Sequence, residues 1–277
     1  METKKLDKQF EKIGSRLKIS KMIRRNSLSG INILKDKKGE FFSVFLHPDI
    51  QDNEVSFQVA AIDPKLKQMV FVIAHPDFKA KEVSRNNFVF EKTNGTISER
   101  FLIGRDERHC FVAGITAANS VKEAFDSLRP SAANLALQKA GVKSKDWRKR
   151  KNKGYIRQGE WFFIPSAFQE THSTVIHKNE PISRNGGKPH FVEEIVRTGG
   201  EVVYVGNREV LTKEDYELLD SKSRTRYTQR TRGAKVYGRG KVSHPDHYTI
   251  TLKGWHEIHL STEKEAKTNA FVSSFID

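Results

Sequence analysis

One cysteine, Cys110, stands in 277 residues. A lone thiol excludes an intrachain disulfide and any cysteine-based zinc site. Its apolar setting, CFVAGI, marks it as a buried side chain rather than a nucleophile. No apolar run approaches the roughly 18–20 residues of a membrane span. The first residues, METKKLDKQFEKIG, lack the apolar core of a signal peptide. These absences set the expectation of a soluble, cytoplasmic protein without a membrane span. No GxxxxGK[ST] loop is present, which argues against ATP-driven work. Dinucleotide-type GxGxxG, the GxSxG elbow, RNA-recognition signatures and zinc-finger spacings are missing too. What remains is adequate for a folded core: 36% hydrophobic and 10% aromatic residues, in a length that suits one large domain or two ordinary ones.

Acid is the other deficit. Lys and Arg total 49 against 34 Asp and Glu, a formal charge of +15. The excess is concentrated. Lys143–Arg157 holds eight bases and one acid, and Lys222–Lys241 holds eight bases and none. Outside these two segments the charges balance, although residues 1–25 are locally basic. Clustering matters because phosphate binding scales with the number of cations that reach one backbone. Arginine adds planar, bidentate contacts, and interleaved aromatics could stack on unpaired bases. The candidate nucleic-acid contacts are Trp147, Arg148, Lys149, Arg150 and Lys151 in the first segment. In the second they are Arg224, Arg226, Tyr227, Arg230, Arg232 and Arg239.

Hydrophobic periodicity predicts an α+β chain, mostly antiparallel β, in a two-part architecture with flanking helices. Leu6, Phe10, Ile13 and Leu17 mark one face of a helix over 4–19. Short apolar runs at 41–46, 55–62, 69–74, 88–91, 101–103 and 109–115 read as a β meander with polar turns. Helices follow at 120–128, capped by Ser120, and at 131–140, closed by Gly141. This gives an N-terminal domain over 1–142, a basic linker over 143–153 and a C-terminal domain over 154–277. In the latter, 160–164, 202–205, 209–211, 234–242, 248–252 and 256–260 read as strands. Pro189 in a first helical position predicts a short helix at 190–197, and Thr212 one at 213–220.

The tripeptide His-Pro-Asp occurs at 47–49, 75–77 and 244–246, and each copy is ordinary turn chemistry. The third belongs to a histidine-rich stretch with His247, His256 and His259. His244, Asp246 and His247 are therefore the candidate catalytic residues, since imidazole titrates near neutral pH and suits acid–base work. On a helix, His190 and Glu194 would share one face. With His244 and His247 they form a candidate ligand set for a divalent metal such as Zn, Mn, Ni or Fe. His256 and His259, three apart on a strand, point to opposite faces. The charged loop Arg105–His109 is a lesser candidate, read mainly as a local salt-bridge set.

Three functions fit these residues. The first is a nucleic-acid-binding protein that grips the backbone of RNA or single-stranded DNA. The second is a metal- or histidine-dependent nuclease or phosphodiesterase. The third is a non-enzymatic assembly protein docking on an acidic protein partner. The residues leave oligomeric state and cofactor identity open.

Overall fold

Gly14 ends the first helix. Its φ of +67° is a left-handed conformation that closes helices, and the Ser15 N–H bonds back to the Phe10 carbonyl at 3.0 Å. The helix expected over 4–19 is thus α1 (Glu2–Lys12) followed by a strand, β1 (Leu17–Lys21). The computed structural model describes residues 2–23, 28–84, 87–183, 188–206 and 209–263. The fold is mostly β, with antiparallel sheets and a few helices. The described residues group into two compact units, 2–128 with 262–263, and 129–261.

The first unit continues with β2 (Ser29–Asp36), β3 (Gly39–Leu46), β4 (Ser56–Asp63), β5 (Gln68–Ser84), β6 (Asn87–Asp106), β7 (His109–Gly114) and α2 (Val121–Ser127). One sheet runs β1-β3-β2, with β1 parallel to β3, and the other runs β4-β5-β6-β7. Residues 69–73, MVFVI, are buried along their whole length because both faces of β5 are covered. Met69, Phe71 and Ile73 pack with Leu6, Phe10 and Phe42. Val70 packs on the other side with Leu102, Val121 and Ala124. Ser120 caps α2, its hydroxyl accepting the Glu123 N–H at 3.1 Å.

The strand expected over 69–74 extends as β5 well past its apolar run, and the two expected at 88–91 and 101–103 are one long strand, β6. Pro76, in the second His-Pro-Asp copy, sits in β5 rather than in a turn. Beyond Ala74 that strand pairs, among the described residues, only with β6, so a missing N–H on its other edge costs no ladder bond there.

The second unit holds α3 (Ser131–Lys139), β8 (Ile156–Gln158), β9 (Trp161–Pro165), β10 (His177–Ile182), β11 (His190–Thr198), β12 (Glu201–Val205), β13 (Val210–Leu211), α4 (Lys213–Glu217), α5 (Ser221–Arg224), β14 (Thr228–Arg232), β15 (Lys235–His244) and β16 (His247–Leu260). Six strands form one sheet in the order β10-β11-β15-β16-β9-β8, and β13-β12-β14 form a small second one. The core of the large sheet gathers Trp161, Phe163, Val192, Ile195, Val242, Leu252 and Ile258.

Three expectations change here. The N-terminal part, expected over 1–142, ends at residue 128, so the helix expected at 131–140 belongs to the second unit as α3. Residues 143–153, read as a linker, are folded into the second unit. Trp147 packs with Leu137, Tyr155 and Phe162, its Nε1 donates to the Val142 carbonyl at 2.7 Å, and the Tyr155 hydroxyl donates to the Trp147 carbonyl. The aromatic anchors outweigh the surrounding charge. Residues 190–197, read as a helix, are β11. A register shift between Val192 and Glu194 breaks the two-residue alternation, so buried residues fall at 190, 192, 195 and 196. That spacing imitates a helical period. No described helix is long and apolar enough to cross a membrane.

Candidate active site

Two tight hairpin turns and the first residue of β11 build the site, all within the second unit. The first turn is Pro245-Asp246, between paired His244 and His247. Its backbone is fixed locally: the Asp246 N–H donates to His244 Nδ1 at 3.1 Å. The first His-Pro-Asp copy repeats this bond, with the Asp49 N–H on His47 Nδ1 at 3.3 Å. The second turn is Gly159-Glu160, between paired Gln158 and Trp161. Gly159 has a φ of +57°, a conformation that primed hairpin turns place at their first central residue.

These turns are distant along the ladder, since β9 meets the far end of β16, with Trp161 opposite Leu260. The sheet nevertheless brings them together. Gln158, 1% exposed, donates through Nε2 to the Val242 carbonyl at 3.3 Å and the Tyr248 carbonyl at 2.7 Å. Those carbonyls flank the irregular pairing between Val242 and His244. Gln158 therefore ties the β8–β9 turn to the turn that carries two histidines.

His190, His244 and His247 converge there. One nitrogen from each lies within 4.8 Å of the others. The His190 and His244 rings stack at 4.1 Å, those of His244 and His247 lie 4.7 Å apart, and those of His190 and His247 5.6 Å. Trp161 meets His190 edge-on at 6.3 Å. His190 is 1% exposed, and neither of its ring nitrogens has a hydrogen-bond partner. Such a group costs about 1–3 kcal/mol when left unsatisfied. Burial, reinforced by His244 and His247, pushes the His190 imidazole down to about 3. Burial and His247 lower His244 as well. At neutral pH both rings are therefore neutral; the His244 lone pair on Nδ1 receives the Asp246 N–H, and that of His190 meets no donor.

Gly159 leaves room for this arrangement. A Cβ there would stand 2.8 Å from His247 Nε2 and 3.3 Å from His190 Nε2. Both nitrogens thus face the same small space. Positive charge borders it. Lys188 Nζ bridges the Asp246 carboxylate at 2.8 and 2.9 Å, and Arg157 Nη1 donates to the Gly159 carbonyl at 3.0 Å. Burial lowers Arg157 to about 10, and burial plus the Arg157 charge does the same to Arg150. The end of the first basic segment is thereby folded against the site.

Glu194, expected among the ligands, does not join. As part of a strand it lies beyond the bulge, where its carboxylate takes Arg239 Nε at 2.5 Å. His256 is buried with Nδ1 on the Gly254 carbonyl at 2.9 Å, and His259 faces Glu257 at 3.3 Å. Neither belongs to the cluster.

The expected nucleic-acid contacts divide. Arg224 donates to the Leu219 carbonyl at 3.0 Å and lies over Tyr216. Arg232 pairs with Glu201 at 2.7 Å. Arg239 pairs with Glu194 and Glu170 and covers Trp255 at 4.4 Å. Trp147 is packed, and Tyr227 bonds Glu209 and leans on Tyr216. Lys149 pairs with Asp146 at 2.7 Å, and Arg148 and Arg150 are half-buried. Lys151, Arg226 and Arg230 are exposed, the last on β14, whose five side chains all face solvent.

Sequence reasoning passes over Gln158, Gly159 and Lys188. The one available signal for the first two is a glycine-led, two-residue gap just ahead of the apolar run 161–164. No protein-family model matches the chain, no curated protein matches it in sequence, and no solved structure matches its fold.

Proposed function

We propose that the chain binds nucleic acid through the cationic surface of its second unit and hydrolyses a phosphodiester at the His190–His244–His247 centre. The observation that carries this reading is the convergence of three imidazoles, two of them held neutral by burial. Arg157, whose Nη1 reaches the Gly159 carbonyl beside that centre, suits a phosphate. Arg226, Arg230 and Lys151, all exposed, supply longer-range attraction for a polyanion. In the reaction a water oxygen bonds to phosphorus while the bond to one ester oxygen breaks. Asp246 takes the proton released by the water, and the departing alkoxide takes one from solvent. The histidines hold the water beside that carboxylate.

The test is a labelled single-stranded RNA and its DNA equivalent, incubated with the protein across a salt series, with Mg²⁺, Mn²⁺, Zn²⁺ or EDTA. Binding that weakens steeply with salt, together with product formation lost in His247→Gln, is expected. Salt-sensitive binding with intact substrate in every condition removes the hydrolytic half. Undetectable binding at low salt removes the whole reading and leaves docking on an acidic protein as the use of the charge.

A further inference from the structure

We infer that His190, His244 and His247 form a resident site for one transition-metal ion of the zinc class. This goes beyond phosphodiester hydrolysis, because an ion could be held there whatever the substrate. Three observations carry it. The nitrogens already lie within 4.8 Å of one another. Ligand nitrogens around zinc sit roughly 3.3 Å apart, given bonds of about 2.0–2.1 Å, so closing the set takes a shortening of these gaps and a turn of the His190 and His244 rings out of their stack. His190 is 1% exposed, with both nitrogens unpartnered, and a bound cation would take the lone pair of its one unprotonated nitrogen. Lastly, the space faced by His190 Nε2 and His247 Nε2 is kept open by a residue without a Cβ.

The donor chemistry narrows the ion. Three imidazoles suit zinc, copper, nickel or iron, whereas Mg²⁺ and Ca²⁺ call for oxygen ligands. Glu194 is turned away towards Arg239. Three protein ligands leave a position open for water, as in catalytic rather than structural zinc sites. With the ion present the three imidazoles are its ligands.

The full chain, stripped with a chelator, is dialysed against Zn²⁺ and its bound metal is measured by elemental analysis. One zinc per chain is expected. His247→Gln, a change at a half-buried position, should weaken binding at least tenfold. Gly159→Ala should also weaken it, because the new Cβ would stand 2.8 Å from His247 Nε2. His172→Gln, at an exposed position outside the cluster, should change nothing. Circular dichroism checks that each variant is folded. Absence of zinc in the wild type, or equal loading of folded His247→Gln, overturns the assignment. Because no substrate enters the assay, its failure is distinguishable from a failure to cleave nucleic acid.

Discussion

Gln158 Nε2 stands 2.7 Å from the Tyr248 carbonyl oxygen, ninety residues away in sequence. The same nitrogen reaches the Val242 carbonyl, so one buried amide serves both sides of the hairpin that carries His244 and His247. Replacing it with methionine keeps much of the volume and removes the donor. Gln158→Met should lower stability by about 1–3 kcal/mol, the penalty for buried acceptors left unpaired. Urea unfolding checks this. Unchanged stability would mean that the hairpin holds its shape without Gln158.

Arg224 and Arg226 are two residues apart and should behave differently. Arg224 serves the protein itself, bonding the Leu219 carbonyl and covering Tyr216. Arg224→Ala should reduce the melting temperature. Arg226 is exposed, so Arg226→Ala should leave the melting temperature unchanged. It should weaken nucleic-acid binding and flatten the salt dependence by about one unit of slope. Equal effects on stability, or no change in the salt slope, would contradict this division.

His256 bears on acid stability. Burial lowers its pKa, partly opposed by the Gly254 carbonyl. Below the ordinary histidine value of about 6.5, the unfolded chain therefore binds more protons than the folded one. Stability is fully present above that value and falls as pH drops towards the depressed one, by at most about 1.4 kcal/mol per pH unit for one group. Asparagine can keep the bond to the Gly254 carbonyl without titrating. His256→Asn should show a smaller fall in melting temperature between pH 8 and pH 5 than the wild type. Parallel curves would exclude His256 as a contributor.

Much of the strand content was legible because apolar runs such as 69–74 and 160–164 are bounded by turn residues. The α1 face was legible as well: Leu6, Phe10 and Ile13 are buried together. Two features hid the rest. Pro189 suggested a helix start where β11 begins, which placed Glu194 beside His190 on paper; the irregular pairing at Val192/Glu194 carries it away in space. The basic run at 143–153 concealed Trp147 and Tyr155, which fasten it to the second unit. At the site, His244 and His247 could be paired from a four-residue stretch. Their meeting with His190 and Gly159 could not, since it depends on how a six-stranded sheet brings its turns together.

The histidine centre can be observed directly through its imidazole nitrogens. Two-bond ¹H–¹⁵N correlation spectra of the metal-free protein, recorded while Zn²⁺ is added, resolve individual rings among the ten histidines. The signals of His190, His244 and His247 should move together and stop at one equivalent, while those of His256 and His259 stay in place. Three signals that remain fixed, or that move independently of one another, would contradict a single centre.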